Sequence, residues 1–81
     1  MRVNMRFVCP ELFGQIPNGP YEVQDGGTIQ ECVERCAERC GVSLPEDWPE
    51  QVLFMKGNRP ARQDDAADGS DIIVLRRILG G

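Results

Sequence analysis

The chain has 81 residues, 41% of them apolar and 27% charged, with a formal net charge of −4. That length holds one domain with a modest core, since so short a chain buries about 60–65% of the surface its unfolded form exposes, and the composition is too apolar for disorder. The absence of a basic stripe argues against nucleic acid, no apolar run approaches a membrane span, and Met1-Arg2-Val3-Asn4-Met5-Arg6 has no apolar h-region of a secretory signal. A cytoplasmic protein is expected.

Residues 2 to 9 alternate, with Val3, Met5, Phe7 and Cys9 on one face and Arg2, Asn4, Arg6 and Val8 on the other. That period predicts a strand with one buried face, ended by Pro10, which has no ladder donor. Glu11-Leu12-Phe13-Gly14 suits a short helical turn covering the core edge. The Pro17-Asn18-Gly19-Pro20 stretch is turn punctuation, and Tyr21-Glu22-Val23 predicts a short second strand antiparallel to the first.

Asp25-Gly26-Gly27 breaks the chain before the main helix, expected over residues 28 to 40. Thr28 and Glu31 form a capping-box pattern, hydroxyl to N3 amide and carboxylate back to the N-cap. Ile29, Cys32, Val33, Cys36, Ala37 and Cys40 make one apolar stripe. Gln30, Glu31, Glu34, Arg35, Glu38 and Arg39 take the other face, and Gly41 supplies the left-handed stop. Residues 43 to 50, with Pro45 and Pro49, read as a loop that folds Trp48 back onto the domain. Gln51 to Lys56 predicts a third strand, Gly57-Asn58 a tight turn, and Arg59 to Arg62 a weak or edge strand because of Pro60. Asp64 to Ala67 is a connector with room for one helical turn.

The last stretch organises the rest. Asp68-Gly69-Ser70-Asp71 is a turn, and Ile72-Ile73-Val74-Leu75 is an apolar, largely β-branched run suited to a central strand. Then come Arg76-Arg77-Ile78-Leu79 and a terminus on Gly80-Gly81. The lone helix must bury its stripe on a sheet. The expected fold class is therefore α+β: a β-grasp, ubiquitin-like fold, with a mixed sheet of four to five strands and one main helix packed on one face. Its first and last strands lie adjacent and parallel at the sheet centre. The domain is expected over residues 1–76, with 77–81 a flexible tail.

Candidate chemistry is sparse. Cys32, Cys36 and Cys40 stand one helical turn apart, a poor geometry for bridging one another, and at most one could pair with Cys9. Their sulfurs span roughly 11–12 Å, too far for one tetrahedral ion, and no histidine completes a ligand set. Core packing is the preferred reading over metal or redox use, and no metal site is expected. The lack of histidine also removes histidine-based triads and shuttles. Lys56, the only lysine, suits a strand end better than an attachment site. Arg76-Arg77 fits equally a solubilising flank and a device steering the tail to an acidic surface.

The terminal carboxylate is the group left to explain. A free α-carboxyl has a pKa of roughly 3.3–3.7, so it is an anionic nucleophile at neutral pH. Two residues without Cβ let such a tail enter a narrow cleft, although terminal glycines are also simply frayed ends.

The Asp68-Gly69-Ser70-Asp71 turn, the Ile72–Leu75 strand and the Gly80-Gly81 terminus, together with the strand and helix order, resemble the MoaD/ThiS family of β-grasp sulfur carriers. The likeness is greatest to the small subunits of molybdopterin synthases and covers nearly the whole chain. The Arg76-Arg77 pair, the Trp48 loop and the three helix cysteines depart from that pattern and leave the pathway open. The resemblance implies that an E1-like adenylating enzyme (MoeB/ThiF type) uses ATP and Mg to adenylate Gly81. Sulfur then displaces AMP, leaving a thiocarboxylate on Gly81, with Gly80 letting the tail thread into the cleft. It further implies sulfur donation in molybdenum or tungsten cofactor biosynthesis, thiamine synthesis or tRNA thiolation, through an accepting partner such as a molybdopterin synthase large subunit.

On this reading the chain binds no cofactor and has no catalytic residue of its own. It is a protein cosubstrate, not an enzyme. The alternatives are a ubiquitin-like modifier joined through Gly81 to lysines, and a binding module whose glycines are incidental. Partner docking is expected at the sheet face near the last strand, through Ile73 and Leu75 rather than Ile72 and Val74, with Arg76, Arg77, Ile78 and Leu79 beside it.

Overall fold

The computed structural model describes residues 1–77. The alternating start forms β1 (Arg2–Val8), which buries Val3 and Met5 and turns Arg2, Asn4, Arg6 and Val8 outward. Pro10 opens α1 (Pro10–Phe13), a single turn that buries Phe13 and leaves Leu12 half-buried. The second strand, β2 (Gly19–Glu22), pairs antiparallel with β1 in the register Val3 to Tyr21.

The main helix, α2 (Ile29–Arg39), starts on Thr28. Its hydroxyl accepts from the Glu31 amide at 3.2 Å, and the Glu31 carboxylate accepts from the Thr28 amide at 3.1 Å. Ile29, Cys32, Val33, Cys36 and Ala37 form the buried stripe, with Cys40 half-buried at the C-cap. Gly41 then takes φ +68°, a left-handed conformation that any Cβ would strain.

Two connections differ from expectation. The loop around Trp48 contains a 3₁₀ turn, Trp48–Gln51, that drives the indole into the core. Prolines read as breakers there, but Pro49 sits in the first turn, where a missing N–H costs no internal bond. Residues 64–67 form no helical turn. They lie against the start of α2 instead: the Ile29 amide donates to Asp65 O (2.9 Å), Gln30 to Gln63 O (3.0 Å), and the Ala67 amide to Gly27 O (2.9 Å). Helix amides that would lack intrahelical partners are thereby satisfied by a distant segment.

The remaining strands are β3 (Val52–Lys56), β4 (Arg59–Ala61) and β5 (Ile72–Arg76). The five-stranded sheet has the order β2-β1-β5-β3-β4, with β1 and β5 parallel and the other neighbours antiparallel. Pro60 lies on the edge strand β4, where a missing donor is tolerated. With one helix stripe buried on one sheet face, this is the β-grasp arrangement. Trp48 knits the core, standing edge-on to Phe13 (centroids 6.0 Å) and to Phe54 (5.9 Å). Among the described residues no helix is long and apolar enough to cross a membrane.

Candidate functional site

Strand β5 occupies the middle of the sheet and carries the candidate site toward the C-terminus. Its turn is held at several points. The Asp68 carboxylate accepts from the Ser70 amide at 3.1 Å, and the Gly57 amide donates to Asp71 O at 2.8 Å. The Ser70 hydrogen bonds, with a smaller contribution from the Lys56 ammonium, hold the Asp68 carboxyl below its ordinary pKa. Lys56 donates to Ala66 O at 2.9 Å and lies 3.6 Å from Asp68. The only lysine of the chain thus ties the β3 end to the β5 turn.

Ile72 and Val74 point into the core with zero exposure. Ile73 and Leu75 therefore lie on the opposite face, each half-buried. Register places Val8 and Leu53 on either side of Leu75, and Arg6 and Met55 on either side of Ile73. Val8 is 45% exposed and Leu53 46%. Five apolar side chains from three strands thus form a patch uncovered by α2, with Arg6 at its margin. Val8 was legible as outward-facing from the alternation of β1. Leu53 and Met55 join the patch only because β3 pairs with β5, a tertiary fact absent from local sequence.

The two arginines have different roles. Arg76 continues the inward alternation of Ile72 and Val74 past the edge of the core, where its guanidinium meets Glu11 Oε1 at 2.6 Å. The Arg77 amide donates to Gln51 O at 3.0 Å, extending the ladder one step past β5. Arg77 is exposed, and no ion pair involves it among the described residues. Ile78, Leu79, Gly80 and Gly81, the rest of the sequence-assigned site, lie outside the described residues.

No protein-family model matches the chain, and no curated protein matches it in sequence. In structure it is similar to SAMP1 from Haloferax volcanii, with a TM-score of 0.65 at 12% identity over 100% of both chains. A ubiquitin-like protein from Caldiarchaeum subterraneum aligns with a TM-score of 0.49 at 14% identity, covering 99% of this chain and 100% of its own. The fold is ubiquitin-like.

Three of the four cysteines of this ubiquitin-like domain lie inside it, and Cys40 is half-buried at the end of α2. Cys9, Cys32 and Cys36 are buried, and all four thiols are free. Burial pushes the Cys9 and Cys32 thiols up and takes Cys36 to about 12. Protonated, inaccessible thiols are poor nucleophiles and poor metal ligands.

Proposed function

We propose that this chain is a sulfur-carrier protein whose reacting group is the carboxylate of Gly81. The observation that carries the reading is the placement of β5: a central strand of a ubiquitin-like sheet leads directly from an open apolar patch into a segment ending Gly80-Gly81. The carboxylate attacks the α-phosphorus of ATP on an E1-like enzyme, and pyrophosphate leaves. The terminal sulfur of a donor persulfide attacks the resulting acyl carbon and displaces AMP. A thiol then cleaves the S–S bond, forming a disulfide and releasing the thiocarboxylate. That sulfur passes to an acceptor, molybdenum or tungsten cofactor synthesis being the favoured pathway.

Intact-protein mass spectrometry tests this, using the full chain, ATP, a persulfide donor and an E1-like enzyme from the same organism. A gain equal to the exchange of one oxygen for sulfur, mapped to Gly81, is expected. Adenylation followed by amine-linked products would assign the chain as a protein modifier. No ATP-dependent change would leave the reading without its chemistry.

A further inference from the structure

The root of the C-terminal segment is gripped by a side chain that the sulfur-carrier chemistry does not require. A cleft of about 300 Å³ lies there, lined by Cys9, Glu11, Leu12, Gln51, Arg76 and Arg77. Glu11 stands in the first turn of α1, which is closed by the Leu12 and Phe13 amides on the N-cap Cys9 O (3.1 and 2.9 Å) and anchored by the buried Phe13. Both oxygens of its carboxylate are engaged. Oε1 accepts from Arg76 at 2.6 Å, and Oε2 accepts from the Cys9 thiol at 3.6 Å. The backbone hydrogen bond at Glu11 and the Arg76 charge favour the ionised form, lowering its pKa. One residue on, the Arg77 amide is fixed to Gln51 O. The chain is thus held on its α1 side by an ion pair and on its β3 side by a backbone bond.

We propose that Glu11 is a positioning residue: by holding Arg76 it fixes where Arg77, the last step of the β5 ladder, is presented. The proposal rests on the sulfur-carrier reading for its biological use, not for its physical test. The four residues after Arg77 span at most about 14 Å. A partner gripping the open face must therefore hold its reacting atoms within that distance of Arg77. Loosening the root spreads the positions at which Arg77 is presented, and restoring its order then opposes binding.

The test compares wild type with Glu11→Ala, Glu11→Gln and the charge swap E11R/R76E. Native-state hydrogen exchange at the Arg77 amide is the function-independent readout. Exchange should quicken about threefold in both single variants, the scale of an exposed ion pair, and return toward wild type in the swap. Thermal melting shows whether each variant is folded; Glu11 is exposed, and small shifts are expected. With the E1-like enzyme, ATP–pyrophosphate exchange should show KM for the single variants raised about threefold with kcat within about twofold, again recovered by the swap.

Unchanged Arg77 exchange in Glu11→Ala would overturn the proposal, whatever the enzyme does. Faster exchange with unchanged KM would also overturn it, since the root would then not govern presentation. If wild type itself shows no ATP-dependent reaction, the sulfur-carrier reading fails, and hydrogen exchange alone decides whether Glu11 holds the root.

Discussion

Cys36 shows how a single side chain couples core packing to pH. Its thiol has zero exposure, and burial first, then the neighbouring Cys32 and Cys40, pushes its pKa to about 12 from an ordinary 9.0. Tyr21 is likewise raised to about 12 from 10.0, by burial first and then by Cys40. The unfolded chain therefore loses these protons at lower pH than the folded one. The stability they contribute is whole below about pH 8 and declines as pH rises from about 9 toward 12. Each group steepens that decline by up to about 1.4 kcal/mol per pH unit. Urea midpoints from pH 7 to pH 11 should fall on the alkaline side, and Cys36→Ala should flatten the slope while lowering the midpoint at pH 7. A slope unchanged by Cys36→Ala would show that Cys36 is not the group responsible. The same burial predicts that native Cys36 resists iodoacetamide until the domain opens.

At the scale of elements, α2 was readable almost to its ends because its signals are local: Thr28 and Glu31 for the start, Gly41 for the stop, and a stripe at helical spacing between them. Replacing Thr28 with Ala should cost about 1 kcal/mol in urea unfolding, the usual price of an N-cap. Ile29 and Gln30 find their acceptors on Asp65 and Gln63, a contact between segments distant in sequence. That is why the 64–67 connector looked like a candidate helical turn in sequence and is a cap in structure. Trp48 carries a similar lesson. Pro45 and Pro49 mark a break in the chain, but not that the break tightens into a 3₁₀ turn to seat the indole between Phe13 and Phe54. Trp48→Ala should cost about 3–5 kcal/mol, measured by the same unfolding, with loss of the near-ultraviolet aromatic signal.

Over the described residues, the open apolar patch and the charged face of α2 lie on opposite sides of the sheet. The solvent face of α2 carries Glu31, Glu34, Arg35, Glu38 and Arg39, whereas the opposite sheet face presents Val8, Leu53, Met55, Ile73 and Leu75 with Arg6 alongside. The sequence showed that one alternating pair of β5 must face outward. The extent of the patch depends on which strands flank β5. An exposed apolar cluster beside the root of the C-terminal segment is the kind of surface that marks a partner site, and Arg6 and Arg77 favour a partner with an acidic rim. Leu53 and Val8 are the most exposed members, so a charge there is tolerated by the fold better than at half-buried Ile73 or Leu75. Leu53→Glu combined with Val8→Glu should leave the melting temperature within a few degrees and raise KM for ATP-dependent activation at least about tenfold, as loss of an interface centre does. Arg6→Glu should act mainly on the association rate and reduce its salt dependence, because a charge at the rim steers encounter more than it holds the complex. If the double variant is activated as readily as wild type while remaining folded, the enzyme grips another face. The limit of about 14 Å from Arg77 holds whichever face is gripped.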